Sequence, residues 1–335
     1  MKCLSVVSFL LLAPLLMAQN LKLSKEIKVA GDLGWDYLSV DEPAQRLFVS
    51  HGNVVNVIDL KTDKTIATIL DTKGVHGIAI ANDLNKAFIT DGADNAVTIV
   101  NLTTFELIEK VAIQGIKPDA VLYDKFSKKV FVYNAKSSDA TVLDAVSNKI
   151  VKTIPLDGKP EFSATNAKGL VYVNIEDKNQ IKVIDANKLE VVNTFDISPG
   201  DEPSGLAFDT ANDRLFSVCG NSMLVVTNAI TGKVVTTVPI GDGSDGVFFD
   251  AKRKLIFSSN GEGTLTVIKQ KDKDSYAVLE TVATVKGART ITMSKTTGTL
   301  YMPTAEFGKT PEATTENPHP RAPIVPNSFK VLVVK

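Results

Sequence analysis

The chain has 335 residues, 44% of them apolar and 22% charged, and its 37 basic and 38 acidic side chains leave a formal net charge of −1. That apolar fraction suffices for a large core, while the cancelled charge, with no block of like charges, argues against a basic nucleic-acid arm or an acidic tail. Reading from the N-terminus, Lys2 supplies a short positive start, and Leu4 to Met17 is an apolar run interrupted only by Pro14 and a few small or hydroxyl residues. With cleavage after Ala18, residues 1–18 read as an export signal, since the run is short for a transmembrane span. The expected mature protein is therefore residues 19–335, located outside the cytoplasm in the periplasm or medium, with no membrane span. Cys3 falls in the signal, so Cys219 would remain alone and no internal disulfide can form.

After the signal, LSKEIKVAG (from about Leu21 to Ala30) reads as a lone strand similar to NKIVKTIPLDG far downstream. Then an aromatic residue returns in the same setting about every 40–44 residues, at Phe48, Phe88, Phe131, Tyr172, Phe216, Phe257 and Tyr301. Within each period short β-branched runs alternate apolar and polar residues between Asn, Asp and Gly turns. In the second unit these are HGIAIA, KAFIT, AVTIVNL and LIEKVAI. A period of two excludes a helical repeat, and four strands in about 42 residues match one propeller blade. The third strands end in Asp59, Asn101, Asp144, Asp185 and Asn228, side chains suited to bond the turn ahead. The last unit stops at Lys335 with one strand missing, and the N-terminal strand supplies it. The expected fold is all-β: a seven-bladed β-propeller of four-stranded antiparallel blades, one domain over 19–335, its ring closed by the N-terminal strand.

The runs NVVNVIDLKTDKTIATI, AVTIVNLTTFELIEKV, QIKVIDANKLEVVNTF and MLVVTNAITGKVVTTVPIG resemble the YVTN (YncE-like) β-propeller repeat family. The second strands, FVSH, FITD, FVYN and YVNI, depart from the namesake tetrapeptide. The resemblance covers nearly all of the mature chain. It implies an exported propeller and brings no shared catalytic set.

Propellers bind ligands at the face built by the loops entering each first strand and those joining second to third strands. The first set places Asp36, His76, Asp119, Glu161, Ser204, Asp245 and Arg289 on one rim, beside Trp35, the only tryptophan. The second set would add His51, Asp91, Asn134, Ile175, Cys219, Asn260 and Thr304. From these, Asp36, His76, Asp119, Glu161, Ser204, Asp245, Arg289, Asn134, Asn260 and Trp35 are the candidate ligand-binding residues. At any one position turn preference alone explains an Asp or Asn. The last blade carries a proline-rich insertion over 303–328, too long for a plain connection, which is expected to fold over the channel mouth.

The three histidines, His51, His76 and His319, map to this face of adjacent blades and form a candidate set for a divalent metal, with Asp36 or Asp91 adding oxygen. No pair has the local spacing of a metal motif, and no cofactor signature is evident. Gly241-Asp242-Gly243-Ser244-Asp245-Gly246 matches a dinucleotide fingerprint only formally, because a strand and not a helix follows. Walker A, HExxH, GxSxG and CxxCH patterns are all missing. The favoured reading is a monomeric, non-enzymatic binding or scaffold protein that recognises a small molecule, peptide or protein partner at the channel face. The alternative is a metal-dependent hydrolase or lactonase, with His76, Asp119, Glu161, Asp245 and His51 as ligands or bases and Arg289 as oxyanion stabiliser. Nucleic acid is the least favoured partner.

Overall fold

The second strand of each unit, such as Arg46–His51 or Lys86–Asp91, is buried along almost its whole length on both faces. That explains why LFV, AFI and VFV are nearly continuous apolar runs: each lies between two neighbouring blades. The computed structural model describes residues 21–31, 33–315, 318 and 320–335, so the expected signal at 1–18 lies outside the described residues. Seven four-stranded antiparallel sheets form a seven-bladed β-propeller. Among the described residues no helix is long and apolar enough to cross a membrane.

The recurring aromatic residue is the wedge between blades. Phe48 packs with Ala87 and Ile89 of the next blade, Phe131 with Val171 and Val173, and Phe257 with Leu300 and Met302. Five of the seven aromatics have no exposed surface, and Tyr172 and Tyr301 retain only 3% and 5%. The fourth strands, such as Leu107–Ala112, lie mostly exposed on the outside, where their polar residues face water.

The ring closes as the missing strand requires. In the last blade Leu23–Lys28 pairs with Lys330–Val334, which pairs with Leu300–Thr304 and through it with the short inner strand Thr292–Met293. Ile27 lies opposite Val331, and the amide of Lys22 donates to the carbonyl of Lys335 at 2.9 Å.

The turn residues act as expected. Asp59 Oδ1 accepts from the amides of Lys61 and Thr62, and Asn101, Asp144, Asp185 and Asn228 do the same for the amides two and three residues ahead. Four residues beyond each cap the backbone turns left-handed, at Asp63, Phe105, Asn148, Leu189 and Gly232. Only the last of these is the residue that adopts this conformation without steric cost. Of the Gly241–Gly246 stretch, residues 241–243 connect the strand Val234–Pro239 to Ser244–Asp250 and residues 244–246 open that second strand, so a strand and not a helix follows the glycines.

Candidate functional site

The inner strands begin at Trp35, Val75, Pro118, Pro160, Pro203, Ser244 and Thr292; six of the predicted rim residues are the second residue of their strand, and Arg289 lies three residues before Thr292. In most blades the pairing between first and second strands shifts there, as between Trp35 and Leu38, Val75 and Ile78, or Pro118 and Val121. A bulge re-aims the side chain and frees backbone groups. Polar residues one place before the end of the second strands take up those groups. Thr90 Oγ1 accepts from the amide of Gly77 at 2.8 Å and donates to the carbonyl of Asp119 in the next blade at 2.5 Å. Asn174 donates to the carbonyl of Ser204 and Ser259 to that of Arg289, while in the last blade Thr290, the residue after the rim position, donates to that of Asp36. Each of these rim backbones is thus clamped by the preceding blade.

On this scaffold the rim side chains form three ionic groups. His76 Nδ1 lies 2.6 Å from Asp36 Oδ2 and 3.6 Å from Asp119 Oδ1, which joins blades one, two and three. Arg289 Nε donates to Asp245 Oδ2 at 2.8 Å. Lys159, two residues before Glu161, bridges Glu161 Oε1 at 2.8 Å and Glu176. Ser204 Oγ donates to the carbonyl of Ser244.

Crowding shows in the protonation equilibria. Burial, then the charge of Asp119, pushes the Glu161 carboxyl up to about 8 against the pull of Lys159. Burial also raises Asp119, to about 6, with His76 pulling it down and Asp36 pushing it further up. Asp245 is raised by burial although Arg289 opposes this. For His76 burial favours the neutral ring, yet the Asp36 hydrogen bond and the charges of Asp119 and Asp36 outweigh it and raise the imidazole above its ordinary value.

Beneath the ring two aromatic side chains meet across the channel. The residue after each rim position is small at Gly77, Ala120, Gly205 and Gly246, where a methyl group would strike neighbouring backbone at Gly77 and Gly246. It is aromatic at Tyr37 and Phe162, whose rings meet at 5.3 Å from blades one and four across the axis. Burial and the four rim carboxylates raise the Tyr37 hydroxyl well above its ordinary value, which keeps it neutral. Sequence reasoning missed Tyr37, Phe162 and Lys159. The two aromatics stand out only when the column after the rim is read as a repeat position.

The second column goes elsewhere, which corrects its placement on the rim. Asn134 donates to Asp139 and Thr141, and Asn260 to Thr264 and Thr266, all on third strands or the turns leading into them. Both amides have no exposed surface. His51 is 2% exposed, stacks on Phe329 with ring centroids 4.0 Å apart and faces Asn56 through Nδ1. Strand alternation is the reason: the preceding residue, such as Thr90, faces the next blade's rim backbone, and these side chains take the opposite face of the sheet, beside their own third strands. His51 therefore does not join His76, and His319 lies outside the described residues.

The long insertion is anchored at its base. Gly308 donates to the carbonyl of Pro323, Val325 to that of Glu306, and Phe307 pairs with Ile324 as an isolated bridge. Phe307 packs on Trp35 at 5.9 Å, and Trp35 stacks on Phe329 at 5.5 Å. Between the insertion and the rim lies a cleft of about 600 Å³ lined by Trp35, Phe307, Ile324, Lys286, Arg289 and Arg321 among others. Among the described residues none that lines it is acidic.

No family model matches the chain. Two curated relatives do, both described as uncharacterized protein YncE. The protein from Salmonella typhi is 26% identical over 168 residues, which are 48% of this chain and 47% of the relative; that from Salmonella typhimurium is 25% identical over the same share. The chain thus spans about half the length of the curated relatives it matches. Solved propellers match almost end to end. They include the RRP9 WD40 repeats (TM-score 0.76, 8% identity, 93% of this chain and 97% of that one) and a chain of a mitotic checkpoint complex (0.75, 13%, 99% and 98%). Hydrazine synthase of Kuenenia stuttgartiensis aligns at 0.70 with 16% identity, over 82% of this chain and 94% of that one. At such identities the likeness is one of fold alone.

Proposed function

We propose that this protein is an exported binding propeller whose ligand is a small anion carrying a planar or apolar body, held in the cleft between the channel rim and the 303–328 insertion. The cleft carries the reading. Trp35, Phe307 and Ile324 offer apolar and aromatic walls, while Lys286, Arg321 and Arg289, the last already paired with Asp245, offer cations, and among the described residues no acidic side chain lines the cleft. A largely apolar concavity with a few convergent polar groups is the usual form of a small-molecule site. The aromatic walls supply contact area, and the guanidinium groups suit a carboxylate or phosphate through paired donors. Among the described residues no nucleophile–base pair lines the cleft, and its apolar walls and cations suit binding better than hydrolysis.

Trp35, the only tryptophan, reports directly on the cleft. Titration with benzoate or phenyl phosphate is expected to change its emission saturably, whereas neutral benzyl alcohol should bind at least about tenfold more weakly, since one charge-assisted hydrogen bond is worth about 1.5–3 kcal/mol. Arg321→Ala combined with Lys286→Ala should erase that preference. Equal responses to charged and neutral probes, or none, would remove the reading.

A further inference from the structure

The rim carboxylates are not equivalent. Asp245 is matched by Arg289 and Glu161 by Lys159. Asp36 and Asp119 have only His76 between them, so two negative charges face a single imidazole. Asp119 is 7% exposed, and among the described residues no hydrogen bond reaches its carboxylate and its one ion-pair neighbour is His76 at 3.6 Å. Its oxygens are not sealed from solvent, so water or a cation can complete the surroundings that the protein leaves open. Lys117 acts on it only through space.

Among the described residues this is also the only place where three metal-ligating atoms converge, one from each of Asp36, His76 and Asp119, all within 4.8 Å of one another. We propose that Asp36, His76 and Asp119 form a site for one divalent first-row metal ion, such as zinc or manganese, at the top of the central channel. Two carboxylate oxygens and a neutral imidazole balance the charge of such an ion. One nitrogen and two oxygens suit zinc or manganese better than soft, thiolate-preferring metals. Metal–ligand bonds of about 2.0–2.2 Å need donor separations of roughly 3–3.5 Å. The 2.6 Å contact has to open by about 0.4–0.9 Å, the 3.6 Å contact has to close slightly, and the two carboxylate oxygens, now within 4.8 Å of each other, have to draw to the same spacing.

The clamps described above support this geometry. The carbonyl of Asp119 is held by Thr90 and that of Asp36 by Thr290, so two of the three ligands come from backbones fixed by a neighbouring blade. Gly92 leaves room for the far side of the His76 ring, since a methyl group there would sit 2.8 Å from its Cδ2. Three protein ligands would leave coordination positions that water or a ligand group could fill. The site differs from the histidine set expected from sequence in keeping only His76, and it stands or falls independently of the cationic cleft.

The test is metal binding to the full mature chain after chelator treatment. One zinc or manganese ion per chain is expected by calorimetry, with a rise of several degrees in Tm on adding the metal. Cobalt(II) should give a visible ligand-field band typical of nitrogen and oxygen donors, a measurement on the parent protein that needs no variant. His76→Gln and Asp119→Asn should each weaken binding at least about a hundredfold, while Asp245→Asn, already matched by Arg289, should keep the stoichiometry. Absence of binding to the parent at up to about 100 µM metal, or undiminished binding in both site variants, overturns the proposal and leaves a closed ion triad that ties three blades together.

Discussion

Asp91 illustrates how a buried side chain sets a pH response. It has no exposed surface; Thr98 donates to Oδ2 at 2.6 Å and Lys110 lies 3.3 Å from the same atom, while Oδ1 has no partner. Burial raises its pKa to about 6, more than Thr98 and Lys110 lower it. Because the folded value lies above the unfolded one, the stability linked to this group is complete at pH below about 4 and is lost as pH rises through about 6. A shift of about two units corresponds to roughly 3 kcal/mol. Asp91→Asn removes the ionisation and keeps an acceptor for Thr98. Urea unfolding at several pH values should show the variant gaining up to about 3 kcal/mol on the parent between about pH 4 and pH 7; parallel profiles would rule this assignment out. Thr90 makes a second residue-scale case. Thr90→Val keeps the shape but strands the Gly77 amide and the Asp119 carbonyl in a buried place. The expected loss is about 1–3 kcal/mol in the same assay.

Among the elements, the insertion of the last blade departs most from the repeat. Its base is tied by backbone bonds at Glu306, Gly308, Pro323 and Val325, and its contribution to the core is small: Phe307 is 39% exposed and Val325 is 36%. It walls the cleft from the side of Trp35 and Gly287, where Phe307 fills the space that a side chain on Gly287 would need. Replacing residues 309–322 by a two-residue turn should therefore leave thermal unfolding within a few degrees of the parent, because little apolar area is lost. Anionic probes should lose their effect on Trp35 emission at the same time. A collapse of Tm would instead show that the insertion is part of the propeller's core.

For the whole molecule, closure depends on a strand from the opposite end of the chain. Leu21, Ile27 and Val29 are buried in the cores at either side of the last blade. At about 1.5–3 kcal/mol for each buried aliphatic side chain, their loss rivals the total stability of an ordinary domain. Deleting residues up to Lys28 should give an aggregating or poorly folded protein, since Lys330–Val334 becomes an exposed edge. The Lys22 amide and the Lys335 carbonyl are in hydrogen-bond contact, so carrying the same strand after Lys335 through a short turn should restore folding. Circular dichroism and size-exclusion profiles of the truncated and permuted chains decide this.

The period from Phe48 to Tyr301, the alternation within units and the missing final strand determined blade number, strand order and ring closure from sequence alone. These are local or repeated features, and a core between identical neighbours leaves few other ways to bury them. The rim column from Asp36 to Arg289 was legible for the same reason, as a fixed offset in each repeat. Which of those side chains meet was not legible. That depends on distances across an axis contributed by seven separate blades, and no single repeat encodes it. Tertiary structure alone paired His76 with Asp36 and Asp119, brought Tyr37 onto Phe162 and laid Phe307 against Trp35. It also turned His51, Asn134 and Asn260 away from the channel, because strand alternation sends adjacent residues to opposite sides and one position decides between rim and wall.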